Sequence, residues 1–143
     1  MATIHQLLQQ KGSTVWTVSP DQTVFDALSL LAEKNIGAVP VVDNDRVVGI
    51  FSERDYARKV VLRGLASYNT LVGDVMTGDV VFVSPNETVA NCMTKMTDKR
   101  IRHLPVLNDT GALVGIVSIG DVVKSVMMAQ EALIGHLKAY ITG

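Results

Sequence analysis

The sequence predicts a mixed α/β (α+β) protein built from two β-α-β-β-α units packed as a pseudo-two-fold pair. Three observations predict it. Residues 15–44 match residues 80–109 at an offset of 65, with 10 identities in 30 pairs. Past one inserted residue, Thr110, residues 45–60 match 111–126 at an offset of 66, with 6 identities in 16. Within each copy, short β-branched runs alternate with an apolar stripe at helical spacing. The period exceeds that of solenoid repeats, so the pattern is a two-fold tandem and not an array. At roughly 55 residues neither copy buries a comfortable core alone. The expectation is that the two sheets pack together and share one core.

The elements follow in order. Ile4, Leu7 and Leu8 mark a short amphipathic lead-in. Val15-Trp16-Thr17-Val18 is a short strand closed by Ser19-Pro20, because proline cannot continue a ladder. Thr23 can N-cap a helix whose apolar positions are Ala27, Leu28, Leu31 and Ala32. Ala38–Val42 is an apolar strand suited to burial on both faces. Asp43-Asn44-Asp45 is turn chemistry, and residues 46–51 form the returning strand. A second helix starts near Ser52 or Glu53 and runs to about Arg63. Copy two repeats the order from Val80-Val81-Phe82-Val83-Ser84-Pro85, with Asn108-Asp109-Thr110-Gly111 as its turn. Its last helix extends through Met127, Met128, Leu133, Leu137 and Tyr140, leaving an apolar stripe that needs a partner. The organisation is a lead-in helix over 1–14, domains over 15–66 and 80–128, a linker over 67–79 and a helical extension over 129–143.

Composition narrows the functional classes. The chain has 143 residues, 48% of them hydrophobic, with 13 basic against 14 acidic side chains and a formal net charge of −1. That balance argues against binding nucleic acid through bulk electrostatics. Mean hydropathy is +0.27, yet no apolar run approaches the 18 or so residues that span a bilayer. No basic segment leads into an apolar one at residues 1–12, so a cytoplasmic protein is expected. The single cysteine, Cys92, gives neither a disulfide framework nor a cysteine-based zinc site. It stands where copy one has Ala27, on the inner face of a helix, and reads as a small buried hydrophobe.

Two segments carry a resemblance to a known family. Ile36-Gly37-Ala38-Val39-Pro40-Val41 and Ile101-Arg102-His103-Leu104-Pro105-Val106 repeat one pattern. Gly49-Ile50-Phe51-Ser52-Glu53-Arg54-Asp55 and Gly115-Ile116-Val117-Ser118-Ile119-Gly120-Asp121 repeat another, an apolar strand followed by Ser-x-x-Asp. Over about residues 13–128 the chain resembles a pair of cystathionine β-synthase (CBS) domains. With no enzyme, channel or transporter domain beside them, the resemblance implies a stand-alone pair.

The Ser-x-x-Asp elements have a chemical logic of their own. A serine at a helix start leaves amide N–H groups facing outward, which suits an anion. The aspartate one turn on can accept both hydroxyls of a ribose. The bland alternative is that Ser52 and Ser118 only cap their helices, with Asp55 and Asp121 as favourable first-turn carboxylates. The resemblance implies that Asp55 and Asp121 bind the ribose of an adenine nucleotide. It also implies composite sites. For Asp121 these bring in Ser13, Thr14, Val15, Ile36, Gly37 and Ala38; for Asp55, Gly78, Asp79, Val80, Ile101, Arg102 and His103. Pro105 closes the second of these segments, and Ile119 and Gly120 lie between Ser118 and Asp121.

The cationic residues are unevenly placed. Arg102 and His103 follow Ile101, where copy one has Gly37 and Ala38 after Ile36. Arg54 and Arg58 share a helix face at i, i+4, either as a solvated face or as phosphate contacts. Arg100 reads as a solvated helix-end charge. The resemblance implies that a nucleotide held by Asp121 points its phosphates towards Arg102 and His103, making the Asp121 site the tighter of the two. His103 would then favour mildly acidic pH.

Catalytic motifs are wanting. In Gly115-Ile116-Val117-Ser118-Ile119-Gly120 the glycine stands three residues before the serine, not the two of a nucleophile elbow. There is no Walker loop, and His5, His103 and His136 are dispersed, so neither an enzyme nor a metal site is expected. The expectation is a regulatory, signal-transducing module that binds AMP, ADP, ATP or NAD in the cleft between its halves. It forms a homodimer and acts on another, unidentified effector chain; nucleic acid and membrane are not its partners. Two alternatives stand beside it: a structural dimerisation module with vestigial sites, and an S-adenosylmethionine sensor, which the cleft cations disfavour.

Overall fold

The computed structural model describes residues 2–142. Helix α1 (Ile4–Lys11) starts at a capping box in which Thr3 and Gln6 each bond the other's backbone amide, and it ends at Gly12 with φ +97. Helix α2 (Val24–Lys34) is N-capped by Thr23, and its counterpart α5 (Val89–Lys99) by Thr88. Strands β1 (Ala38–Asp43) and β2 (Arg46–Ser52) form one antiparallel hairpin, and β3 (His103–Leu107) and β4 (Leu113–Ser118) the other. Asn44 and Asp45 both have positive φ, as a two-residue I′ turn demands. The loop lengthened by Thr110 instead closes on Asn108, whose side-chain oxygen accepts from the Thr110 and Ala112 amides.

The expected strands at 15–18 and 80–83 shrink to one parallel bridge each, Val18 with Val41 and Val83 with Val106. Val18 and Val83 are buried, whereas Trp16 and Phe82 are 41% and 51% exposed, so only one residue of each run meets the sheet.

The second helices diverge. In copy one, α3 (Glu53–Asp55) passes directly into a π-helical stretch, Tyr56–Val61, and the chain then turns at Gly64 with φ +69. In copy two, α6 (Ile119–Thr142) has no such stop and runs for 24 residues. Beyond Val126 it leaves Met127, Met128, Leu133, Ile134, Leu137, Tyr140 and Ile141 exposed. Among the described residues no helix is long and apolar enough to cross a membrane.

The expected single shared core is instead two clusters, one per copy, because each copy gains a helix from outside its repeat. Val72 and Val75 of α4 (Val72–Val75) join the copy-one cluster around Val24, Val39 and Phe51. Ile4, Leu7 and Leu8 of α1 cross over to the copy-two cluster around Val89, Leu104 and Val117. The docking is the same on both sides. The Ile4 and His5 amides bond the Glu87 and Pro85 carbonyls, as those of Val72 and Gly73 bond Gln22 and Pro20. The Val89 amide returns to Ala2 at 2.9 Å, and that of Val24 to Thr70 at 2.8 Å. Residues 2–9 and 70–77 therefore correspond at an offset of 68, without a single identity between them. An added helix supplies the apolar surface that a unit of this size lacks.

Candidate functional site

Each hairpin returns into its second helix at a Ser-x-x-Asp turn that closes as a capping box. The Asp55 amide donates to Ser52 Oγ at 3.2 Å and the Ser52 amide to Asp55 Oδ2 at 2.9 Å. In copy two the same pair spans 3.2 and 2.8 Å between Ser118 and Asp121. The helix-cap role is thus present in both copies, and any ligand role is additional to it.

The turns open into a cleft between the copies, and within each copy one backbone bond ties the turn to the start of its own hairpin. The Glu53 amide donates to the Gly37 carbonyl at 3.1 Å and the Ile119 amide to that of Arg102 at 2.8 Å. The copies come close at Gly37, where a Cβ would stand 3.3 Å from His103 Nε2, and 3.3 Å from Glu53 Oε1 of its own copy.

Asp55 faces a cavity of about 490 Å³. Ile101, Arg102 and His103 line it, as the composite-site expectation requires, together with Ser52, Arg54 and Arg58. Gly78, Asp79 and Val80 do not; Thr77 takes their place, held to the β2 edge by two bonds with Ile50. Thr77 Oγ1 donates to Asp55 Oδ1 at 3.0 Å, and Lys59 Nζ lies 3.2 Å from the same oxygen. With Ser52 Oγ donating to Oδ2 at 3.1 Å, the Asp55 acceptor sites are all taken.

Asp121 faces a cavity of about 340 Å³. Thr14, Ile36, Gly37, Ala38 and Ser118 line it as expected, whereas Ser13 and Val15 do not. Lys11, Trp16, Asn35, Ile116 and His103 complete the wall, and of these the resemblance brings only His103 to the Asp121 site. Lys11 Nζ donates to Asp121 Oδ2 and to the Ile116 carbonyl, both at 2.6 Å. It does for Asp121 what Thr77 and Lys59 do for Asp55. Oδ1 of Asp121 accepts no hydrogen bond among the described residues. Burial raises the Asp121 pKa, but the Lys11 and Ser118 hydrogen bonds outweigh it and hold the carboxyl below its ordinary value.

His103 lines both cavities, together with Gly37 and Ala38. Arg102 lines only the Asp55 side, so the expected alignment of Arg102 with the Asp121 site is reversed. The Arg102 carbonyl accepts from the first turn of α6, while the residue lines the Asp55 cavity beside His103. Burial, then the Lys11 charge, lowers the His103 pKa. The lowered pKa moves any gain of charge at this imidazole to a more acidic pH than the sequence suggests. Of the remaining residues, Ile119 lies beside the arginines, Pro105 is buried in β3 and Gly120 is exposed on the first turn of α6. Cys92 is fully buried and burial pushes its thiol up to about 11, in keeping with its reading as a core residue.

Known proteins share both the fold and the sequence pattern. The profile of the CBS domain matches residues 13–62 and 72–128. The mitochondrial CBS domain-containing protein CBSX3 of Arabidopsis thaliana is 40% identical, covering 99% of this chain and 72% of its own. A solved structure with CBS domains from Burkholderia ambifaria superposes with a TM-score of 0.85 at 49% identity, covering 90% of this chain and 96% of its own. CBSX2, solved in complex with AMP, has a TM-score of 0.73 at 27% identity, with 91% and 99% covered. The CBS domain pair of protein MJ0100, solved with 5′-methylthioadenosine and S-adenosyl-L-methionine, has a TM-score of 0.77 at 25% identity, with 86% and 98% covered. The two matched segments, together with the paired hairpins and their composite cleft, make this chain a member of the CBS-domain family, in tandem-pair form.

Proposed function

We propose that this chain is a non-catalytic regulatory module that binds an adenine nucleotide (AMP, ADP, ATP or NAD) between its two CBS domains. The observation that carries the reading is the pair of Ser-x-x-Asp turns, each opening into its own inter-repeat cavity with apolar and cationic walls. Ribose hydroxyls would take over the acceptor sites that Thr77 and Lys59 hold on Asp55, and would meet the open Oδ1 of Asp121. CBS-pair relatives hold adenosine-bearing ligands, which supports the class of ligand. S-adenosylmethionine is disfavoured here, because Arg54, Arg58 and Arg102 on one side and Lys11 on the other repel a sulfonium. The lone buried thiol of Cys92 suits a reducing, cytoplasmic compartment.

The test is thermal denaturation with and without nucleotide. Saturation at 100-fold over Kd adds about 2.7 kcal/mol and raises Tm, and the Asp55→Ala, Asp121→Ala double variant should lose most of the rise. No Tm change with AMP, ADP, ATP or NAD on a folded chain would leave the structural dimerisation reading in its place. The exposed apolar residues of α6 support dimerisation under either reading. Light scattering should give about 31 kDa, twice the chain mass of 15.4 kDa; a value near 15 kDa contradicts it.

A further inference from the structure

The apolar face of α6 continues past the domain it belongs to. At helical spacing Val122, Val126, Leu133, Leu137 and Tyr140 lie along one side of it. Val122 and Val126 pack in the copy-two core, whereas beyond them the stripe is exposed. The CBS-domain match ends at residue 128, so most of this exposed stripe lies outside the family's fold. The matching helix of copy one has no such tail, because the chain turns away at Gly64. A helical tail of this kind is marginal alone in water and is stabilised by packing its apolar face. Seven large side chains along that face, from Val123 to Ile141, are 47–84% exposed. A stable dimer buries about 800 Å² on each side, the order of what seven such side chains supply.

One polar residue, Gln130, interrupts the face at its centre, and the apolar positions are symmetric about it. Met127 and Leu133 stand three residues to either side, Val126 and Ile134 four, and Val123 and Leu137 seven. An antiparallel pair with its two-fold axis at Gln130 sets each of these positions against its symmetric counterpart, so apolar meets apolar throughout. A buried glutamine amide needs both an acceptor and a donor, and its own two-fold copy offers both. Beyond Val126 the helix carries one acidic and one basic side chain, Glu131 and Lys138. It lacks the Lys/Arg-rich polar face with which an interfacial helix meets anionic lipid.

We propose that this face is covered by α6 of a second copy of the chain, paired antiparallel about a two-fold axis at Gln130. Leu137 then packs on the partner's Val123, Leu133 on the partner's Met127 and Ile134 on the partner's Val126. The two Gln130 amides bond each other at the axis. The inference rests on the dimerisation stated above and assigns it an interface, built on the tail that the CBS-domain match does not include.

Cysteine cross-linking of the full chain, with light scattering beside it, tests the pairing. Cys92 is fully buried and does not compete. In oxidised glutathione, Gln130→Cys should link the chain into a covalent dimer, because the axis brings that residue against its own copy. Leu137→Cys alone should not, since it faces residue 123, and neither should Glu131→Cys, which lies off the face. Combining Leu137→Cys with Val123→Cys should restore the cross-link. Leu133→Lys, at an exposed position, should bring the chain from the dimer mass down to 15.4 kDa while its CBS core still unfolds cooperatively. A wild type of 15.4 kDa would overturn the pairing and dimerisation together. A dimeric wild type whose Gln130→Cys variant does not cross-link, or whose Leu137→Cys variant cross-links equally well, would overturn the antiparallel pairing and leave dimerisation standing.

Discussion

Lys11 Nζ stands 2.6 Å from Asp121 Oδ2, joining residues 110 positions apart, so the carboxylate that opens α6 carries a counter-cation from the far end of the chain. The pair also fastens α1 to copy two. Lys11→Ala should therefore destabilise the fold by about 1 kcal/mol at pH 7, the scale of a half-buried ion pair. The Asp121 pKa is depressed in the folded state, so the contribution is present above the ordinary value of 3.8 and lost as pH falls through the folded value. Denaturant titrations of both proteins at pH 7 and at about pH 3 should show the gap closing. A gap that stays constant would show that the pair is not what separates them.

The crossed helix docking can be read from two residues in contact. A Cβ on Gly115 would lie 2.8 Å from both terminal carbons of Leu8. Gly115→Ala should cost about 1–3 kcal/mol through overpacking, and Leu8→Ala about 2–5 kcal/mol through the cavity it leaves in the copy-two core. The double variant should cost less than the sum, because each change makes room for the other. Strict additivity would mean that α1 does not pack there.

His103 faces Lys11, Arg102, Asp121 and Glu53, and burial, its largest influence, leaves the imidazole pKa below 6.5. The folded state then binds fewer protons than the unfolded chain near pH 6, so the stability this residue provides is present above about 6.5 and lost as pH falls through the folded value. Against His103→Gln, the wild type should lose stability as the buffer is taken from pH 7 to pH 5. A stability difference independent of pH over that range would place the imidazole in water instead.

What the sequence made legible was local. Thr23 and Thr88 as caps, Asn44-Asp45 as a turn and Ser52 and Ser118 as helix starts each depend on neighbours within four residues, and each is where it was expected. The composite cleft was legible through the family resemblance, down to Ile36 facing Asp121 and Ile101 facing Asp55. The crossing of α1 was not, because Ile4, Leu7 and Leu8 share only apolar character with Val72, Val75 and Met76. A hydrophobic stripe states that a face is buried and not which core buries it. Lys11 at Asp121 was hidden for a related reason. Its position follows from the docking of α1 against copy two, which leaves no mark in the spacing of residues.

The central claim is that Asp55 and Asp121 hold a ribose as well as capping their helices. Calorimetric titration of AMP against its 2′-deoxy analogue addresses it directly, since the two ligands differ by one donor to those carboxylates. The wild type should bind AMP more tightly by about 1–3 kcal/mol, the cost of leaving a buried acceptor without its donor. That preference should disappear in the Asp55→Ala, Asp121→Ala variant. Equal affinities for the two ligands on the wild type, or a preference that survives in the double variant, would contradict it and leave the two aspartates as helix caps alone.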